Sequence, residues 1–273
     1  MHDLRRRSLE VAHFLRERRE RLRPTRAELR TTLRRRVTGL TRQEVAKRAG
    51  VSLTWYSWLE MGREVRATSV TLRSIARALQ LDGDETAYLL ALEADPYVAD
   101  QPHPTGDVDA PTLSKLVDGY RDGPAFVVDR RWNVVASNQH ARTIYGFVPS
   151  KRINDNIVFR LLHDERLRAI HLDPDGMMAS VSALVRFNYA DDTQSPELAE
   201  FVAALSNDSR FSAAWSRYAV RTFVPIRVAV RRRGPRLRFT YVAFPVGRVG
   251  RETLIFHLPA DEWTRRALKA MRP

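Results

Sequence analysis

The 273 residues include no cysteine, which excludes disulfides, thiolate zinc sites and cysteine nucleophiles together. A net charge of +14 favours a polyanionic partner, and 44% hydrophobic residues suffice to fill cores in two domains. No apolar run reaches the ~18 residues of a membrane span, and MHDLRRRSLE lacks the apolar centre of a secretion signal. A cytoplasmic protein with no membrane partner is therefore expected.

The first predicted element is a basic helix over residues 4–22, with Leu4, Leu9, Val11, Ala12, Leu15 and Leu22 on its apolar positions and Pro24 at its end. A basic connection follows, carrying Arg34, Arg35 and Arg36, which reads as a phosphate grip or as a solvated loop. The segment from Leu40 to Arg63 is the most informative part of the chain. Thr41 and Glu44 form a capping box, Val45, Ala46 and Ala49 share a helical face, and Gly50 permits a left-handed turn. Val51 follows as a buried contact, Ser52 caps a second helix, and Tyr56 and Leu59 form that helix's core stripe. This leaves Thr54, Ser57 and Trp58 facing outward, with Leu53 and Trp55 on the flanks. Such a helix-turn-helix lays its second helix in the DNA major groove. Its surroundings agree, because residues 1–66 hold 18 Lys or Arg against 8 Asp or Glu. The expected DNA contacts are Arg34, Arg35, Arg36, Thr41, Arg42, Ser52, Leu53, Thr54, Trp55, Ser57, Trp58 and Arg63.

Ala46, Ala49, Gly50, Val51, Ser52, Tyr56, Leu59, Glu60, Gly62 and Arg63 together resemble the DNA-binding domain of XRE (Cro/C1-type) regulators. The resemblance implies a five-helix, lambda-repressor-like, all-α domain. The branch it most resembles carries arginine where this chain has Trp58. A bidentate arginine contact to a base at that position would be replaced by apolar contact, for instance with a thymine methyl.

Two more helices complete that domain, from about Ser69 to Leu79 and from Asp82, where Asp82 and Glu85 repeat the capping-box pattern. We place the domain at 1–94. Residues 95–111 hold four prolines and no apolar period, which marks a linker. The second domain, 112–273, opens with a helix at Thr112–Tyr120 and a β-hairpin turning at Asp129-Arg130-Arg131. Asn138 caps the next helix. Helices are expected near 157–163, 177–189, 196–205 and 211–218, then strands near 226–231, 236–244 and 252–257, and a last helix at 261–271. This is an α+β layout with an antiparallel sheet. The six arginines of 227–238 surround Gly234-Pro235 and read as solvated strand edges or as a second DNA-backbone contact.

Trp132, Asn133, Val134, Ala136, Asn138, Ala141 and Gly146, then Phe211, Trp215, Val220, Phe239, Tyr241, Phe244, Pro245 and Leu254, resemble the MmyB-like ligand-binding domain found behind XRE-type motifs. The resemblance implies a PAS-like fold with an internal cavity for fatty acids or similar acyl effectors. The residues themselves nominate Phe126, Trp132, Tyr145, Phe159, Trp215, Phe239 and Tyr241 as aromatic lining. They also nominate the wall Met178, Val181, Leu184, Val185 and Phe187, with Arg186 as a fork for a carboxylate or, alternatively, a partner of Asp191 or Asp192.

No enzyme is expected, nor any cofactor or metal. The chain has no H-E-x-x-H, no G-x-S-x-G and no P-loop, and His163-Asp164-Glu165 and His171 with Asp173 and Asp175, which Pro174 and Gly176 mark as a turn, read as helix ends and loop caps. Two functions follow. One is an effector-controlled bacterial DNA-binding regulator acting as a homodimer. The other is a DNA-binding protein whose second half serves only as a dimerisation or docking module. An apolar cavity distinguishes the first from the second.

Overall fold

A computed structural model of the chain describes residues 2–25, 38–93, 108–191, 195–220, 226–231, 236–246 and 252–271. Two compact units emerge, Met1–Asp100 with Arg186–Ala199, and Gln101–Val185 with Glu200–Pro273.

In the first unit, helices α1 (His2–Arg21), α2 (Arg42–Ala49), α3 (Leu53–Glu60), α4 (Ser69–Ala78) and α5 (Gly83–Glu93) give the five-helix layout expected. Short helices need their ends satisfied, and here side chains do it. Thr41 and Glu44 form a complete capping box on α2, Ser52 accepts from the Trp55 amide on α3, and Asp82 and Glu85 exchange bonds ahead of α5. Gly50 lies at φ 69°, in the left-handed region that closes α2 and starts the turn. The core collects Val11, Phe14 and Leu15 of α1, Val45 of α2, Tyr56 and Leu59 of α3, Ile75 of α4, and Tyr88, Leu89 and Leu92 of α5. Two expectations change. Leu9 is 44% exposed while Phe14 is buried and meets Tyr88 edge to face at 5.0 Å, and Val51 is half-buried rather than buried.

The second unit is built on a five-stranded antiparallel sheet in the order β2-β1-β5-β4-β3. Its strands are β1 (Ala125–Asp129), β2 (Val134–Ser137), β3 (Ile226–Arg231), β4 (Arg236–Val246) and β5 (Glu252–Pro259). Ala125 pairs with Phe256 and Tyr241 with His257, so β5 runs between β1 and β4 and joins the N-terminal hairpin to the C-terminal strands. Side chains alternate along a strand. Phe126 and Val128 enter one core with Phe239, Ile255, Val158, Leu161 and Leu184, whereas Ala125 and Val127 enter another with Leu113 and Val117. Helix α6 (Ala110–Gly119) thus covers the second face, and this is the PAS-like α+β arrangement expected.

The remaining helices are α7 (Gln139–Tyr145), α8 (Ile157–His163), α9 (Glu165–Ile170), α10 (Pro174–Asp191), α11 (Pro196–Ser206), α12 (Ser209–Trp215) and α13 (Glu262–Ala270). Three boundaries differ from the sequence reading. Helix α6 begins at Ala110 because Asp109 accepts from the Thr112 amide. Helix α9 was not anticipated, and Asp164 caps it with bonds from the amides of Arg166 and Leu167. Pro174 and Gly176 do not form a turn but open α10, with Asp173 accepting from the Gly176 amide and proline at the position where its missing N–H costs nothing. Among the described residues, no helix is long and apolar enough to cross a membrane.

Candidate nucleic-acid interface and ligand cavity

Helix α3 owes its position to a buried charge. Glu60, fully buried, receives Arg19 Nε at 2.7 Å on one carboxylate oxygen and Arg19 Nη2 at 2.8 Å on the other, and Arg42 Nε joins the latter at 2.9 Å. Burial alone would raise the Glu60 pKa, but the hydrogen bonds and charges of Arg19 and then Arg42 outweigh it and hold the carboxyl below its ordinary value. Arg19 also donates to the Leu40 carbonyl, while the Leu40 amide donates to the Arg19 carbonyl. A Cβ on Gly39 would lie 2.3 Å from the Glu20 carbonyl oxygen, so glycine is what lets α1 and the start of the motif close this tightly. The network ties α1, α2 and α3 together.

What remains outside is the face foreseen from the helical wheel. Leu53, Thr54 and Trp58 are exposed, Trp55 and Ser57 half-buried, and Tyr56 and Leu59 sealed in the core. Arg63 places its guanidinium 5.7 Å from the centre of the Trp58 ring, next to that face. Thr41 and Ser52 hold helix N-termini, and Arg42 engages Glu60 through Nε. Arg34, Arg35 and Arg36 lie outside the described residues.

The second unit holds an apolar cavity of about 50 Å³, lined mainly by Phe126, Trp132, Tyr145, Phe147, Ile157, Leu161, Met177, Val181, Leu184 and Tyr241. Its local architecture starts at the β1–β2 turn. Asp129 Oδ1 accepts from the amides of Arg131 and Asn133, Asn156 donates to the Arg131 carbonyl and to Asn133, and these bonds fix Trp132 at φ 64°. A bulky side chain rarely adopts that backbone, and such strain concentrates at working sites. The indole is thereby delivered, buried, to the cavity wall, with no hydrogen-bond partner for Nε1.

Two histidines that the sequence reading did not nominate also line this space. His257 of β5 meets the Tyr145 hydroxyl through Nδ1 at 2.8 Å, and its ring lies 5.4 Å from that of Tyr241. His171 is pinned by a β-bridge to Val230, and its ring stacks on Tyr145 at 6.1 Å. Burial lowers His171 to about 4, and burial followed by the nearby His171 lowers His257 to about 3, so both imidazoles are neutral at ordinary pH. The signal that could have found His257 was its place on a strand of alternating burial, two residues after Ile255. For His171, far from β3 in sequence, there was none.

The nominated lining residues divide. Phe126, Trp132, Tyr145, Val181, Leu184 and Tyr241 border the cavity, whereas Met178, Val185 and Phe239 are buried outside its wall and Met177 takes the place given to Met178. Phe159 leans on His163 at 4.3 Å, and Trp215 stacks on Phe211 at 5.5 Å. Phe187 is half-buried. Arg186 is not on the wall, and the alternative pairing with Asp191 or Asp192 lies outside the described residues. Instead its buried guanidinium donates to the Glu10 carboxylate, which also accepts from Tyr88 at 2.7 Å.

A capped helix-turn-helix presenting an exposed helix face, joined in one chain to an α+β domain with an apolar cavity, defines a DNA-binding transcription regulator with a ligand-binding domain. Residues 10–89 match the helix-turn-helix domain family, and residues 110–271 match the MmyB-like transcription regulator ligand binding domain. The second match spans more than half of the chain, which therefore belongs to the MmyB-like regulator family. No curated protein matches the sequence significantly. Both matched families are regulatory rather than enzymatic.

Proposed function

We propose that the protein binds specific DNA sequences through α3 and that a small, largely apolar effector of the acyl class, held in the cavity of the second unit, modulates that binding. The outward face of α3 carries this reading. Thr54 and Trp58 are left exposed beside Arg63 while the rest of the helix is locked inward by Glu60. Exposed aromatic and hydroxyl side chains on the second helix of this motif are the groups that meet base edges. Arg34, Arg35 and Arg36, with Arg42 and Arg63, supply phosphate contacts in this proposal, and the protein acts in the cytoplasm as a two-fold dimer reading half-sites about one DNA turn apart.

Burying an acyl chain yields roughly 0.8 kcal/mol per methylene, enough for a short chain to shift a conformational equilibrium. Selection of binding duplexes from a random pool, repeated with and without medium-chain acyl compounds, tests the proposal. Enrichment of one palindromic sequence, with affinity altered by the added compound, is expected. Failure to retain any duplex at low salt would refute it. The alanine triple variant at Arg34, Arg35 and Arg36 is expected to weaken binding to all sequences and to flatten the salt dependence by about one unit per lost contact.

A further inference from the structure

Among the described residues, three polar atoms of side chains that line the apolar cavity lack a hydrogen-bond partner: Trp132 Nε1, the Tyr241 hydroxyl and His171 Nδ1. All three belong to side chains at least nine-tenths buried. Leaving a buried polar atom unmet costs about 1–3 kcal/mol, and three such atoms on the lining of one space mark it as a place for a partner from outside the chain.

The chemistry of the set is specific. An indole N–H can only donate, and a phenol donates readily, so the missing partner must accept. One oxygen with two lone pairs answers both. Among the described residues the lining holds no Asp, Glu, Lys or Arg. The bases on it are His171 and His257, which burial keeps neutral. Arg186, the cation nominated for a carboxylate, donates to Glu10. An anion transferred into this space would meet donors but, among the described residues, no positive charge, and desolvating it without a counter-charge is far more costly than desolvating a carbonyl.

We infer that the effector is an uncharged molecule, a ketone, ester or amide with an apolar body, whose carbonyl oxygen accepts from Trp132 Nε1 and the Tyr241 hydroxyl. This inference rests on the ligand-binding reading above and narrows its acyl class to the members without a free carboxylate. The cavity of about 50 Å³ accommodates the polar end with a short stretch of chain. A longer body displaces Met177, whose unbranched thioether adapts with little strain.

The test titrates the full-length protein at pH 7.5 with methyl ketones from butanone to decan-2-one and with the carboxylates of equal length. Calorimetry is followed alongside the indole N–H resonances, with Trp132 assigned by Trp132→Phe. At the best chain length the ketone is expected to bind at least tenfold more tightly than the carboxylate and to move the Trp132 resonance. Tyr241→Phe, which removes one oxygen and keeps the ring, is expected to weaken the ketone at least fivefold. Carboxylates binding equally or better, or ketone affinity indifferent to Tyr241→Phe, would overturn the inference while leaving the pocket as a ligand site. If no compound binds at any length, the ligand-binding reading falls with it.

Discussion

Two buried sites, one in each unit, treat polar groups in opposite ways. In the first, the carboxylate of Glu60 is a full charge out of water, and both of its oxygens are met by arginines from α1 and α2. In the second, the polar atoms of Trp132, Tyr241 and His171 are neutral, and they are left without partners. A charge that is completely paired has no capacity left for a ligand and fixes geometry instead. A neutral group left open costs the folded state its desolvation and is available to whatever enters. The contrast separates a rigid presenting device from a receptive one.

Glu60→Gln is the most severe way to break that contrast, because it leaves Arg19 buried against a group that cannot balance it. Losing one member of a buried pair costs about 3–5 kcal/mol. Chemical denaturation is expected to report a loss of that order confined to the first unit. DNA affinity should fall for every sequence alike, since α3 loses its mooring rather than its contact surface. A variant as stable as the parent would show that the pair is dispensable.

Acid separates the units next. Glu60 has a folded-state pKa below the ordinary 4.5, so its contribution is complete above that value and is lost only as pH falls through the lowered one. The histidines behave otherwise. Above pH 6.5 His171 and His257 are neutral in folded and unfolded chains alike and cost nothing. As pH drops below 6.5 the unfolded chain takes up protons that the folded one refuses until about 4 and about 3, and stability declines throughout that window. Shifts of this size correspond to about 3 kcal/mol for His171 and about 5 kcal/mol for His257. The second unit should therefore melt first on acidification from neutrality, and His171→Phe should flatten the decline. Equal acid sensitivity in both units would contradict the burial argument.

The same contrast explains what could be read without coordinates. The helix-turn-helix is a local object: its capping box, Gly50 and core stripe lie within 24 residues, so periodicity and turn chemistry specify it, including the exposure of Thr54 and Trp58. The partners of Glu60 were not legible, since Arg19 is 41 positions away and arginines are abundant in that stretch. The cavity was half legible. Its wall on α10 follows from helical spacing, but Phe147, Ile157, His171 and His257 are brought together by loop geometry and sheet order. A nearby feature of the sequence also misled: the proline at 174 resembled a break and is a helix start, because the consequence of proline depends on whether a capping residue precedes it.

A gentler change probes the presenting face alone. Replacing Thr54 or Trp58 by alanine leaves the Glu60 network intact and removes only exposed groups. Stability is expected to stay within about 0.5 kcal/mol of the parent. Discrimination between the best site and a singly mismatched one should shift by about 1–3 kcal/mol, measured by anisotropy against a panel of duplexes. A uniform loss across the panel would mean these residues do not read bases.

Tyr241→Phe carries the smallest effect and the most telling sign. In Glu60→Gln a polar atom is taken from a partner. In Tyr241→Phe a polar atom is taken from nobody, because the hydroxyl is buried without a bond. Removing it cancels a desolvation cost and leaves the ring and its packing against His257 in place. The ligand-free protein should accordingly become more stable by about 1 kcal/mol even as it loses affinity for a carbonyl-bearing effector. Paired melts with and without decan-2-one measure both quantities. A destabilised variant would mean that the hydroxyl is satisfied in the free protein, and the second unit would then bury its polar groups by the same rule as the first.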